Sequence, residues 1–133
     1  MLPKIKINFY LAGDDVDLGD LSEKLNLQPT RVRKKNEWPQ ASILAGIAQD
    51  VWELQMEKEE CKAVSIQLDK LQKRLISKVE IIKELSSQYR LESSVTVVIE
   101  MEAGGGPEMV LSKENIVFLS LLNAEIGFDL YID

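Results

Sequence analysis

Hydrophobic and polar residues alternate with a period of two in four stretches of the chain, the pattern of strands with one buried face. In the first, Lys4 to Leu11, the side chains of Ile5, Ile7, Phe9 and Leu11 share a face. The second, Trp52 to Glu57, sets Trp52, Leu54 and Met56 inward, and the third, Val95 to Met101, does so for Val95, Val97, Ile99 and Met101. The fourth, Phe128 to Asp133, sets Phe128, Leu130 and Ile132 inward. Strands covered on both faces read as unbroken apolar runs instead, so the alternation predicts a largely antiparallel sheet with one face open to water. Short extra strands are weakly marked at Thr30–Arg33 and Glu108–Leu111.

Helical spacing fills the intervals. Leu18, Leu21 and Leu25 recur at steps of three and four, and Pro29 lies just beyond, where such a helix has ended. From about Ser65 to Tyr89 a longer stripe runs through Leu68, Leu71, Leu75, Val79, Ile82 and Leu85. A continuous helix there would span about 37 Å at 1.5 Å per residue, so a break near Ser77-Lys78 is expected. Ser112 caps a last helix whose Ile116–Leu122 core is apolar nearly all round, the mark of the most buried helix. Asn36 to Asp50 reads as irregular, and Ala103-Gly104-Gly105-Gly106-Pro107 as a loop. The whole is one domain over residues 1–133, α+β in class. Four main strands are expected, with three helices on one face, as two β-α-β halves joined by the long central helix.

Composition narrows the chemistry. The 133 residues carry 16 basic and 22 acidic side chains, a net charge of −6, with no histidine and one cysteine. Without histidine there is no Ser-His or Cys-His nucleophile pair and no imidazole metal ligand, and one thiol makes neither a disulfide within the chain nor a thiolate zinc site. Cys61 stands among Glu59 and Glu60, which disfavour its thiolate. No run approaches the roughly 18 apolar residues of a membrane span, and Met1 to Gly13 lacks a signal-peptide core, so a cytoplasmic protein is expected. Residues 1–99 are neutral overall. The entire excess lies beyond them, where Glu100, Glu102, Glu108, Glu114, Glu125, Asp129 and Asp133 meet Lys113 alone.

Several local patterns invite a chemistry and then fail it. Asp15-x-Asp17 opens like a calcium loop, but Asp20 and Asn26 stand where that loop needs glycine and glutamate, so Asp17 is read as a helix cap. The three glycines at 104–106 lack the lysine of a phosphate loop. Arg31, Arg33, Lys34 and Lys35 near Trp38 resemble an RNA contact, yet a cluster this small on a neutral-to-acidic chain reads as a solvated loop or a partner for the acidic patch of Asp14, Asp15, Asp17, Asp20 and Glu23. Lys78 interrupts the heptads of the long helix, which favours packing on the sheet over a coiled coil. Paired carboxylates have no distinctive motif. No metal, cofactor, nucleic acid or membrane partner is therefore expected, and no enzymatic activity.

The most informative surface is the open sheet face, where Lys4, Lys6, Asn8, Tyr10, Glu53, Gln55, Glu57, Thr96, Val98, Glu100, Asp129 and Tyr131 should stand. Tyrosines within a charged rim are typical of protein-binding patches, although exposed sheet positions favour aromatic residues in any case. Tyr10, Glu53, Glu100, Asp129 and Tyr131 are the candidate partner contacts.

The ordered blocks also resemble a known family. Gly13-Asp14-Asp15 is followed by Leu18, Leu21, Leu25, Leu27 and Pro29-Thr30, then Trp52-Glu53-Leu54, the leucine-rich helix and a closing Phe128-Asp129-Leu130-Tyr131. Together these resemble the bacterial domain of unknown function four-two-seven-nine family over nearly the whole chain. Lys35-Asn36-Glu37-Trp38 departs from the Lys-Gly-Asp type of turn common there. The resemblance implies no activity, but some similar small acidic bacterial proteins act as immunity proteins beside secreted toxins. The expected function is thus a non-enzymatic protein-binding domain of the immunity type, its acidic sheet face meeting a basic toxin. The alternative is a small-molecule sensor with a pocket between sheet and helices near Trp38 and Trp52. An exposed strand edge would permit a homodimer under either.

Overall fold

The computed structural model describes residues 2–133, and its class is α+β. Strand β1 (Lys4–Gly13) is followed by α1 (Leu18–Leu25), β2 (Arg31–Arg33), a 3₁₀ turn over Lys35–Glu37 and α2 (Gln40–Leu44). Then come β3 (Asp50–Gln55), β4 (Glu59–Glu60), α3 (Val64–Leu75), a 3₁₀ turn over Ile76–Lys78 and α4 (Val79–Tyr89). The chain closes with β5 (Glu92–Met101), α5 (Lys113–Leu121) and β6 (Ala124–Ile132). The strands lie in one sheet in the order β2-β3-β1-β5-β6, with the short β4 also on β1.

The sheet is mixed. β1 pairs antiparallel with β3, β4 and β5, and β2 with β3, but β5 and β6 run parallel. Helix α5 carries the chain back along β5, so that Ala124 enters beside Ser93. This crossover is the β-α-β unit of the C-terminal half. The N-terminal half instead sets β1 and β3 antiparallel. Of the weak strand signals, Arg31–Arg33 forms β2, whereas Glu108 makes only an isolated bridge to Ala63. The irregular stretch holds α2.

One face of the sheet carries the core. Ile5, Ile7, Phe9 and Leu11 of β1, Trp52 and Leu54 of β3, and Val95, Val97 and Ile99 of β5 are buried against Leu18, Leu21 and Leu25 of α1 and the stripe of α3 and α4. Met56 and Met101 pack partly buried at its margin. The long helical stripe breaks where expected. One 3₁₀ turn at Ile76–Lys78 re-aims the chain, and Val79, Ile82 and Leu85 of α4 continue the buried row begun by Val64, Leu68, Leu71 and Leu75. Asp17 caps α1, its side chain accepting from Asp20 N at 3.1 Å, and Asn26 ends that helix at φ 52°. Cys61 is buried, with its Sγ on Ala63 O at 3.2 Å.

Two expectations of burial are corrected. In β6 the parity is right, but Phe128, Leu130 and Ile132 are 41%, 45% and 56% exposed. They flank buried Val97 and Ile99 and half-buried Met101, yet among the described residues no helix roofs them, because α5 ends before β6 begins and covers only its first residues. Helix α5 is likewise not the most buried. It seats Asn115, Phe118 and Leu119 but leaves Ile116, Val117 and Leu121 exposed, since it lies at the margin of the helical layer and packs chiefly against α3.

Helix α4 is tied to α1 by Tyr89, whose hydroxyl donates to Asp20 Oδ2 at 2.7 Å. That bond, with burial second, pushes the phenol up to about 12 and, with Lys24, holds the Asp20 carboxyl below its ordinary range. The unfolded chain would release the phenol proton near pH 10. The raised phenol therefore contributes stability that is complete below pH 10 and lost between about 10 and 12. The lowered carboxyl contributes stability present above about pH 4, lost as pH falls through its folded value. Tyr89→Phe is expected to lower the melting temperature at pH 7 and to flatten the pH dependence on both sides. Melting curves from pH 2 to 12 test this, and unchanged slopes would remove the assignment.

Candidate functional site

Strand register arranges the open face in rows. Arg31 lies beside Glu53, Glu53 beside Tyr10, Tyr10 beside Ser94 and Ser94 beside Glu125. The next row runs Arg33, Val51, Ala12 and Glu92. These two rows floor a hollow of about 270 Å³ lined by Tyr10, Ala12, Arg31, Arg33, Trp38, Val51, Glu53 and Ser94. The small side chains of Ala12, Val51 and Ser94 leave the space. Trp38 makes its wall.

Local chemistry fixes that wall. Arg33 lies over the Trp38 ring with its guanidinium carbon 4.2 Å from the centroid, and the indole Nε1 donates to Gln49 O at 2.8 Å. Glu37 Oε1 accepts from Lys34 N at 3.0 Å, closing the turn that presents the ring. Asp50 clamps the turn to the loop between β1 and α1, its carboxylate accepting from Lys35 N at 2.8 Å and from Val16 N at 3.0 Å. Lys35 Nζ reaches Asp14 at 3.0 Å and Asp15 at 3.6 Å, and this contact raises the lysine above its usual value. Part of the basic run thus pairs with the acidic patch inside the molecule. Arg31 and Arg33 do not: among the described residues neither has a carboxylate within 4 Å.

At the floor, Glu53 is only 8% exposed, although its strand position faces the open side. Gln55 Nε2 donates to its Oε2 at 2.5 Å. Beside it, Tyr10 Oη accepts from Asn8 Nδ2 at 3.3 Å. Burial raises the Tyr10 hydroxyl above the ordinary tyrosine value; Asn8 opposes the rise, and Glu53 adds to it. A carboxylate that accepts hydrogen bonds, two guanidiniums that donate them and an aromatic wall make a site suited to holding a polar group.

The five candidate contacts divide between two places. Tyr10 and Glu53 meet in the hollow. Glu100, Asp129 and Tyr131 gather at the opposite corner, with Glu100 beside Tyr131 in register. Six residue steps along β5 take the strand from Ser94 to Glu100, about 20 Å. At that corner Tyr131 Oη donates to Asp129 Oδ2 at 3.1 Å, which raises the phenol, and an ion pair with Lys58 lowers the Glu100 carboxyl. The open face is therefore not uniformly acidic. Arg31 and Arg33 make its β2 side basic, and Glu125 and Asp129 make its β6 side acidic.

The expected pocket between sheet and helices is also corrected. Trp52 lies in the core, with its Nε1 donating to Ser22 Oγ at 3.0 Å, while Trp38 stands on the other face. Arg31, Arg33 and Trp38 were visible as a basic run beside an aromatic residue. Only the non-local pairing of β2 with β3 brings them over Glu53 and Tyr10.

A family model described as a domain of unknown function, DUF4279, matches residues 3–133. The chain belongs to the DUF4279 family. Comparison with curated proteins finds no match, and neither does comparison with solved structures. No helix of this DUF4279 chain is long and apolar enough to cross a membrane among the described residues.

Proposed function

We propose that this DUF4279 protein is a non-enzymatic binding domain that works through the open face of its sheet and seats a side chain of a protein partner in the hollow. The observation that carries this reading is the gathering of Trp38, Tyr10, Arg31 and Arg33 around one concavity. Those residue types dominate the energetic centres of protein interfaces, where a small pocket surrounded by a wider contact excludes water. Neutralising a toxin by covering its working surface needs no chemistry of the inhibitor's own, so an immunity role fits such a site. The acidic β6 side would steer a basic partner into contact.

The test is capture from the encoding host at native expression level. The wild-type chain is expected to retain one protein whose toxicity it relieves on co-expression. Trp38→Ala and Arg31→Ala should each reduce that retention about tenfold or more while leaving the unfolding curve in place, as expected for residues at the centre of an interface. Equal retention by both variants would sink the role of the hollow.

A second reading, that the hollow holds a free small molecule, is favoured by its concavity and by two guanidiniums that, among the described residues, have no carboxylate within 4 Å. Small carboxylates and phosphates would then raise the melting temperature by mass action, and Arg31→Ala would abolish the rise.

A further inference from the structure

The edge formed by β6 makes a second surface, apart from the hollow. Among the described residues β6 pairs with β5 alone, over Ser93–Ala124 to Met101–Ile132, so its outer edge offers unpaired backbone donors and acceptors. Its helix-side row, Phe128, Leu130 and Ile132, is about half exposed although neighbouring Val97 and Ile99 are fully buried. Its open-side row holds Glu125 and Asp129, and among the described residues neither has a cation within 4 Å.

We infer that this edge accepts an extended segment of a partner protein in which apolar residues alternate with lysine or arginine. A strand added to β6 turns successive side chains to opposite faces. One set would extend the apolar row across Phe128, Leu130 and Ile132, completing a core that the helices leave unroofed. The other set would stand beside Glu125 and Asp129, where a cation is favoured and a carboxylate repelled. Backbone pairing supplies affinity and the alternation supplies selectivity, as in other cases of strand addition. A second copy of this chain fits less well, because pairing β6 with itself sets two acidic rows on the same face. That row belongs to the segment 100–133, which holds the whole net charge of −6.

The probe is a fluorescent nine-residue peptide alternating lysine and valine, titrated against the full chain. Two comparators are the glutamate-valine peptide and the lysine-valine peptide methylated at its backbone nitrogens, which cannot pair as a strand. The lysine-valine peptide is expected to bind at least tenfold more tightly than either. Phe128→Ser with Leu130→Ser, and separately Asp129→Lys, should each weaken it at least tenfold. Trp38→Ala should not change it, so failure here and failure of the hollow are read separately. Should the serine variant fail to fold, the methylated comparator on the unaltered chain still decides. Equal affinity for the methylated peptide would reduce the effect to charge attraction and overturn the inference, as would no binding. Sedimentation showing a dimer that Phe128→Ser dissociates would assign the edge to a second copy instead, and overturn it too.

Discussion

Trp52→Ala is expected to lower the free energy of unfolding by about 3–5 kcal/mol, the range for removing a fully buried aromatic side chain. Trp52 is 0% exposed and heads the fully buried side chains by volume. It stands in register with Leu11 on one side and Val32 on the other, so the ring sits in the middle of the β2-β3-β1 part of the sheet. Its Nε1 donates to Ser22 Oγ at 3.0 Å, which fixes α1 over the strand as well as filling the space beneath it. The loss therefore has two parts, a cavity in the core and an unanchored helix. Trp52→Phe separates them, because it keeps most of the apolar area and removes the indole donor; it should cost about 1–2 kcal/mol, the range for a buried hydrogen bond with a modest change of shape. Domains of this size are stable by about 5–15 kcal/mol, so the alanine variant would approach the limit of folding. Urea unfolding checks the expectation through the midpoint, with the slope unchanged. A loss below about 1.5 kcal/mol would mean that the core collapses around the vacancy, contrary to the close packing of a folded interior.

The two tryptophans illustrate what the sequence could and could not disclose. Alternation placed Trp52 inward correctly because Trp52-Glu53-Leu54 is local and period two is strict. Trp38 has no such context. Its position over the sheet depends on Arg31–Arg33 pairing with Glu53–Val51 and on Asp50 clamping the turn, contacts between residues about 15–25 apart in the chain. Glu53 shows the same division. Its face was legible, but not its burial, which arises because Arg31 and Tyr10 flank it in one row. In β6 the pattern again gave parity, since Phe128, Leu130 and Ile132 do lie on the helix side. Whether a helix covers that side is decided by where α5 stops, and period two carries no information on it. The parallel pairing of β5 and β6 escaped for a related reason. Continuous apolar runs mark parallel strands only when both faces are covered, and β6 has neither face covered along most of its length. The break in the long helix and the cap at Asp17 were legible because each depends on a few neighbouring residues.

Asn115→Leu is expected to cost about 2–4 kcal/mol, since it removes two neutral hydrogen bonds and one to a carboxylate from a buried site. Asn115 is 1% exposed in the first turn of α5. Its Nδ2 donates to Asp69 Oδ1 at 2.9 Å and to Gln72 Oε1 at 3.3 Å, both on α3, and its Oδ1 accepts from Ser112 N at 3.3 Å. One side chain therefore completes the cap of α5 and holds that helix to α3. Leucine matches asparagine in heavy-atom count and branching and leaves no cavity, so the loss would report the polar contacts. The consequence should be local before it is global. β6 begins only two residues after Leu122, which packs in the core, and among the described residues β6 pairs with β5 alone, so its placement depends on α5 lying where it does. Hydrogen exchange should accelerate at the amides of α5 and β6 well before those of β1, which is paired on both sides. Uniform acceleration across the sheet would contradict that division, and a cost under about 0.5 kcal/mol would show that water replaces the three bonds without loss.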